Sequence, residues 1–271
     1  GQWIAVGESA ERATVWNSTD GRQWARAEVV DADAGPSIMN DVTPFDGGFV
    51  AVGSAGVNLC PAVWLSPDGQ TWNGISADMA GSLSGFAAEE CPLSPMQGVV
   101  SAGRGLVAIG TRLLPDEDPT YVDITTGGPQ IWTSVDGYRW VLEDAVFVPA
   151  TDIDSKYGYL KHQAPILLEH VVSDGTRLFA AGTYELILSA NDLPGFATLW
   201  YSEDGGVTWL MAAEATLPPS GVTAGARGLC LFDEGLALIG IDAAPAGKHP
   251  EYGWMTWSQT PAVWIAQFPD Q

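Results

Sequence analysis

Short apolar runs bounded by glycine recur along the chain. They read Gln2-Trp-Ile-Ala-Val-Gly7, Gly48-Phe-Val-Ala-Val-Gly53, Gly105-Leu-Val-Ala-Ile-Gly110, Arg177-Leu-Phe-Ala-Ala-Gly182 and Gly235-Leu-Ala-Leu-Ile-Gly240. Val, Ile and aromatic residues between glycines form the pattern of a buried strand. A second short segment precedes four of them: Asp41-Val-Thr-Pro-Phe45, Gly98-Val-Val-Ser101, His170-Val-Val-Ser173 and Gly228-Leu-Cys-Leu-Phe232. Turn residues such as Asp46-Gly47-Gly48, Ala102-Gly103-Arg104 and Asp174-Gly175 join the pair as a hairpin. A third strand is expected to end at Trp16, Trp64, Trp132 and Trp200, with a fifth copy at Trp264. A fourth is expected to begin at Trp24, Trp72, Trp140 and Trp209.

Between the third and fourth strands a signature repeats four times, as in Trp64-Leu-Ser66-Pro-Asp68-Gly69-Gln-Thr-Trp72; the last copy has one extra residue before Trp209. A self-similar chain is built from copies of one supersecondary unit. Four antiparallel strands per unit, repeated about an axis, predict an all-β, five-bladed β-propeller. The blades fall at roughly 1–30, 38–76, 96–146, 168–214 and 226–271, in a single domain over 1–271. The first blade shows no inner strand and the last shows no outer one, so part of a larger propeller is the alternative.

The signature resembles the Asp-box, or BNR repeat, of sialidases and many other propellers, whose pattern is Ser-x-Asp-x-Gly-x-x-Trp; here glycine follows aspartate directly. The resemblance spans nearly the whole chain and implies hairpin turns. Asp20, Asp68, Asp136 and Asp204 suit acceptors for N–H groups of their own turns. Gly21, Gly69, Gly137 and Gly205 take the positive φ. Ser18, Ser66, Ser134 and Ser202 close each loop, and Trp24, Trp72, Trp140 and Trp209 cover its base. A structural role is expected for these aspartates, ahead of calcium ligation or acid catalysis.

Composition narrows the partners. Hydrophobic residues make up 46% of 271 residues, yet no apolar run reaches the ~18 residues of a membrane span. A net charge of −22 repels phosphate backbones and anionic lipid, so neither nucleic-acid binding nor membrane insertion is expected. Abundant Trp, few Lys and a plausible disulfide favour an extracellular, secreted location. Cys60 and Cys91 fall on the same face and are expected to pair, whereas Cys230, among apolar neighbours, is expected to be a buried free thiol.

Strand alternation places short turns on one face and long connections on the other: 111–130, 183–198 and 241–261, with 77–96 and 147–167. Long loops on a rigid scaffold usually carry binding residues. Candidates there are Tyr121, Tyr157, Tyr159, Trp254 and Trp257, as platforms for sugar rings or a partner. Asp116, Asp118 and Asp123 are weak candidates for calcium; a solvated acidic loop is the commoner outcome. Beside Asn40, the inner-strand residues Asp41, Gln97, Glu169, His170 and Arg227 line a candidate ligand channel, with a merely hydrated channel as the alternative.

The resemblance raises sialidase activity, which requires three Arg residues clamping a carboxylate. Of eight Arg residues only Arg227 begins an inner strand, so that triad is not expected. No cofactor is expected, calcium being the one possibility. The main expectation is a non-catalytic extracellular module that binds protein or glycan. The alternative is a glycoside hydrolase-like enzyme using the inner-strand carboxylates Asp41 and Glu169.

Overall fold

Every recurrent apolar run is a strand in the computed structural model, which describes residues 1–31, 35–57, 60–75, 95–103, 105–114, 125–148, 166–185, 195–212, 223–233, 235–248 and 255–267. No helix occurs among them. The chain forms two compact units, Gly1–Asp144 and Ala145–Gln271.

The first unit holds three sheets. β1 (Trp3–Ser9), β2 (Arg12–Ser18) and β3 (Ala25–Arg26) form the first. β4 (Glu28–Val30) leaves that sheet and runs parallel along the outer edge of the second, which contains β5 (Ser37–Phe45), β6 (Gly48–Ala55), β7 (Cys60–Ser66) and β8 (Thr71–Ile75). The third contains β9 (Met96–Ala102), β10 (Gly105–Leu114), β11 (Thr125–Ser134) and β12 (Val141–Leu142). In the second unit β13 (Val146–Val148) is likewise a parallel outer strand, beside β14 (Ile166–Ser173), β15 (Leu178–Glu185), β16 (Gly195–Ser202) and β17 (Thr208–Met211). The last sheet has β18 (Thr223–Phe232), β19 (Gly235–Lys248) and β20 (Met255–Gln267).

These are the blades of an all-β, five-bladed propeller, with the incomplete first and last sheets that the repeat predicts. Two details differ from expectation. The segments after β3 and β12 each add a fifth strand to the next sheet, because an open edge pairs with whatever extended chain passes it. Much of 241–261 is strand rather than loop, paired out to Lys248 opposite Met255.

Apolar faces of successive sheets meet within each unit. Val50, Val52 and Val63 of the second sheet cluster with Met96, Leu106, Trp132 and Trp140 of the third. Ala181 and Ala197 cluster with Ala226, Leu238 and Trp264 in the second unit. Of the signature tryptophans, Trp72, Trp140 and Trp209 are fully buried, but Trp24 is 44% exposed. The difference is one of neighbours. Trp72 joins the cluster that includes Ala13 and Val15 of the preceding sheet, and Trp209 stacks on Phe147 at 6.0 Å. Trp24 has no such cover among the described residues.

Candidate functional site

The inner strands of four sheets share one irregularity at one place. The register of β5 slips between Met39 and Asp41, leaving Asn40 unpaired. β9 slips between Met96 and Gly98, β14 between Leu168 and His170, and β18 between Ala226 and Gly228. The extra residues are Gln97, Glu169 and Arg227. A β-bulge inserts one residue and re-aims its side chain. Each polar bulge residue follows a buried anchor, Met39, Met96, Leu168 or Ala226, at most 1% exposed.

The facing strand supplies a glycine opposite each anchor: Gly53, Gly110, Gly182 and Gly240. A Cβ would lie 1.9 Å from the Ile38 carbonyl oxygen at Gly53, 2.2 Å from that of Pro95 at Gly110, and 1.6 Å from that of Leu167 at Gly182. Bulge and glycine are therefore one device. The glycines ending each apolar run do not end a strand; the strands continue through them. An isolated glycine in a strand pattern is the available signal for such close approach.

In the first unit the device ties one inner strand to the next. Asn40 Nδ2 donates to the Met96 carbonyl at 2.8 Å, and Asp41 Oδ2 accepts the Val99 N–H at 2.9 Å. Burial pushes the Asp41 carboxyl above its ordinary value and prevails over the N–H groups of Val99 and Val42, which favour the anion. Gln97 is half-buried on the adjacent strand.

In the second unit Arg227 Nη1 lies 3.6 Å from Glu169 Oε1, and Thr183 Oγ1 donates to Glu169 Oε2 at 3.4 Å. The Arg227 side chain is 62% exposed, which leaves most of its donors for solvent or ligand. His170 is held below its ordinary pKa, first by burial and then by the Arg227 charge. It is a neutral imidazole at pH 7. Among the sequence candidates, Asp41 is thus bonded to the strand that carries Gln97, and Glu169, His170 and Arg227 gather in the second unit.

The four Asp-Gly turns have the expected hydrogen bonds. Asp68 Oδ1 accepts N–H groups of Gln70 and Thr71, and Ser66 Oγ accepts that of Gly69. Asp20 and Asp136 repeat the arrangement with Ser18 and Ser134. The glycines after all four aspartates have φ between 71° and 79°. In the longer fourth turn Ser202 Oγ accepts from Gly206, and Asp204 accepts from Thr208, one residue further on. Each aspartate has one oxygen committed to its turn. Among the described residues no group of three His, Cys, Asp or Glu is placed to hold a metal ion.

Several candidates lie outside the described residues: Asp116, Asp118, Tyr121, Asp123, Tyr157, Tyr159, Trp254 and Cys91. Trp257 is in β20, opposite Pro245. Cys230 is free but exposed, correcting the expected burial. Along β18 the anchor Ala226 is buried, while Leu229 and Leu231 pack on the core. The alternating pleat turns Cys230 to the opposite face. The short-turn side, passed over in favour of the long loops, holds a cleft of about 480 Å³ lined by Phe45, Asp46, Phe49, Asn73, Asp136 and Tyr138. No helix among the described residues is long and apolar enough to cross a membrane.

No protein-family model matches the sequence, and no curated protein does. Solved structures match the fold. A thermostable family-43 glycoside hydrolase is 13% identical, with a TM-score of 0.50 over 100% of this chain and 91% of its own. The Cellvibrio cellulosa α-L-arabinanase gives 12% identity and a TM-score of 0.48, covering 97% of this chain and 87% of its own. The Bombyx mori family-32 β-fructofuranosidase gives 12%, 0.47 and 89%, and the chain spans 47% of that enzyme's length. The likeness to the family-43 glycoside hydrolase corrects the expectation of a non-catalytic module. That expectation leaned on a missing arginine triad, yet the triad serves sugars that carry a carboxylate. Ordinary glycoside hydrolysis needs a pair of carboxyl groups.

Proposed function

We propose that the chain is a glycoside hydrolase-like enzyme that acts on glycans with inner-strand carboxylates. The carrying observation is Asp41, a half-buried residue on an inner strand whose anion is disfavoured by loss of solvent around its carboxyl. A group that keeps its proton more readily than a free carboxyl suits the general acid of glycoside hydrolysis. Glu169, beside the guanidinium of Arg227, is the other inner-strand carboxylate. The likeness to the family-43 glycoside hydrolase supports a fold able to host this chemistry. We further propose that the four Ser-x-Asp-Gly turns are structural Asp-boxes, that the protein works outside the cell, and that Cys60 and Cys91 pair. Cys60 is engaged rather than free, and Cys230 is the free thiol.

A panel of aryl-glycosides, pyranosides and furanosides, tests the reading. Turnover is expected on at least one member, and Asp41→Asn and Glu169→Gln are each expected to abolish it while leaving far-UV circular dichroism unchanged. Since Asp41 acts protonated, activity falls as pH rises through its raised pKa. Failure of the wild-type protein on every member, or full activity in both variants, overturns the proposal.

A further inference from the structure

The short-turn cleft is separate from the inner-strand site. Phe45, one of its walls, stands four residues along β5 from Asp41, about 13 Å away at the rise of a strand. Contact between two sheets of the first unit closes it behind: a Cβ on Gly137 would meet Leu65 Cδ2 at 3.1 Å and Val50 Cγ2 at 3.4 Å. Phe45 and Phe49 are half-buried and pack on the core, so their rings are fixed walls. The lining residues Asp46, Asn73 and Asp136 are exposed, and Tyr138 is 54% exposed. No Lys or Arg is among the lining residues.

Turn chemistry accounts for the two aspartates. Asp46 and Gly47 have φ of 48° and 77°, as a two-residue hairpin turn requires, and Asp136 is the acceptor of its own signature turn. It does not account for the other two residues. Tyr138 gives that turn only its N–H, and the same position is Arg22, Gln70 or Gly206 in the other copies. Asn73 follows a signature tryptophan where the other copies have Ala25, Val141 and Leu210. It faces Leu65, as Val141 faces Thr133 and Leu210 faces Tyr201. Asn is depleted in strands, and a ring left half in solvent gains little from folding. Two positions that the repeat leaves free depart from it in adjacent sheets, and both line one cleft.

We propose that this cleft is a second, non-catalytic binding site for a neutral glycan. The proposal rests on the reading of the chain as an enzyme of glycans; the cleft then tethers a polymer while another stretch of it is cut. Its volume of about 480 Å³ falls within the ~300–1,000 Å³ of small-ligand clefts. The Tyr138 ring offers an apolar surface to the C–H face of a sugar ring. The Asn73 amide donates to one sugar oxygen and accepts from a hydroxyl, while Asp46 and the second oxygen of Asp136 accept further hydroxyl protons. Carboxylates with no basic residue in the lining, on a chain of net charge −22, disfavour acidic sugars. An organic cation would use the rings and carboxylates but leave the donor side of the Asn73 amide idle.

Affinity electrophoresis of the protein through gels containing soluble xylan, arabinan or levan tests the site. Retardation by at least one polysaccharide is expected. Tyr138→Ala and Asn73→Ala should each raise the dissociation constant roughly fivefold to tenfold, as expected for one lost stacking or hydrogen-bond contact. Tyr138→Phe, which keeps the ring, and Asp41→Asn should be retarded like wild type. No retardation by any polysaccharide, undiminished retardation of either alanine variant, its loss in Asp41→Asn, or release by tetramethylammonium chloride overturns the proposal. Retardation needs no turnover. A protein that is retarded but hydrolyses nothing therefore refutes only the proposed activity, and one that hydrolyses glycosides without being retarded refutes only this site.

Discussion

Replacing glycine by alanine at Gly182 and at Gly7 is one chemical change with opposite expected signs. At Gly182 the new Cβ would stand 1.6 Å from the Leu167 oxygen, 2.7 Å from its carbonyl carbon and 3.0 Å from Leu168 Cα. Contact distances of about 3.0 Å require a retreat of about 1.4 Å between two paired backbones in a close-packed region. Overpacking by one methyl group costs ~1–3 kcal/mol where side chains yield. Here the obstacle is backbone, so the upper end applies, even after the ~0.5–1 kcal/mol that alanine gains over a mid-strand glycine. The expected loss is about 2–2.5 kcal/mol. At Gly7, where the nearest atom to a Cβ is in the Trp16 ring at 3.8 Å, only the gain remains, about 0.4–1 kcal/mol of stabilisation. Urea unfolding followed by tryptophan fluorescence measures both as shifts in midpoint at constant m. Gly182→Ala within ~0.5 kcal/mol of wild type, or Gly7→Ala as damaging as Gly182→Ala, refutes the close-approach reasoning.

Two further experiments probe charge and sulfur. The aspartates of the signature turns, Asp20, Asp68, Asp136 and Asp204, lie below their unfolded pKa of 3.8; at Asp204 burial is the largest single influence and opposes this, but the hydrogen bonds together prevail, and at the others N–H bonds from Gln23, Thr71 and Arg139 lead. Their stabilisation is present above pH 3.8 and lost as pH falls through the folded values. Asp136→Asn should flatten the acid limb of a plot of unfolding midpoint against pH; an unchanged limb rejects the assignment. Asp41 has the opposite sign: its contribution is present below 3.8 and lost as pH rises through the raised value, so Asp41→Asn should gain relative stability toward neutrality. For sulfur, the exposed Cys230 should react with a thiol reagent in the native protein. With Cys60 and Cys91 paired, denaturation without reductant should reveal no second thiol; its appearance rejects the pairing.

The repeat made the sheets legible because its cues are local. Strand order, hairpins and the Asp-Gly turns follow from residues within a few positions of one another, so Ser66, Asp68, Gly69 and Trp72 could be assigned without a fold. Burial of Trp24 and Cys230 could not. Each depends on what packs against the side chain, which a local repeat does not encode. The short-turn cleft was missed for a related reason: tight turns read as closed, but its lining is drawn from two sheets, with Phe45 on one and Tyr138 from the next.

The bulge shows how fold and site are joined. The sequence already placed Asp41, Glu169, His170 and Arg227 at the starts of inner strands, but it offered no reason for polar residues there. One residue too many in the inner strand supplies that reason. It throws a carbonyl onto the facing strand, which must then carry glycine, and it frees one side chain from the pleat. A buried anchor before the bulge and a missing Cβ behind it hold that side chain in place, so the polar identity can change from Asn40 to Gln97 to Glu169 to Arg227 without altering the sheet. The scaffold repeats and its chemistry varies.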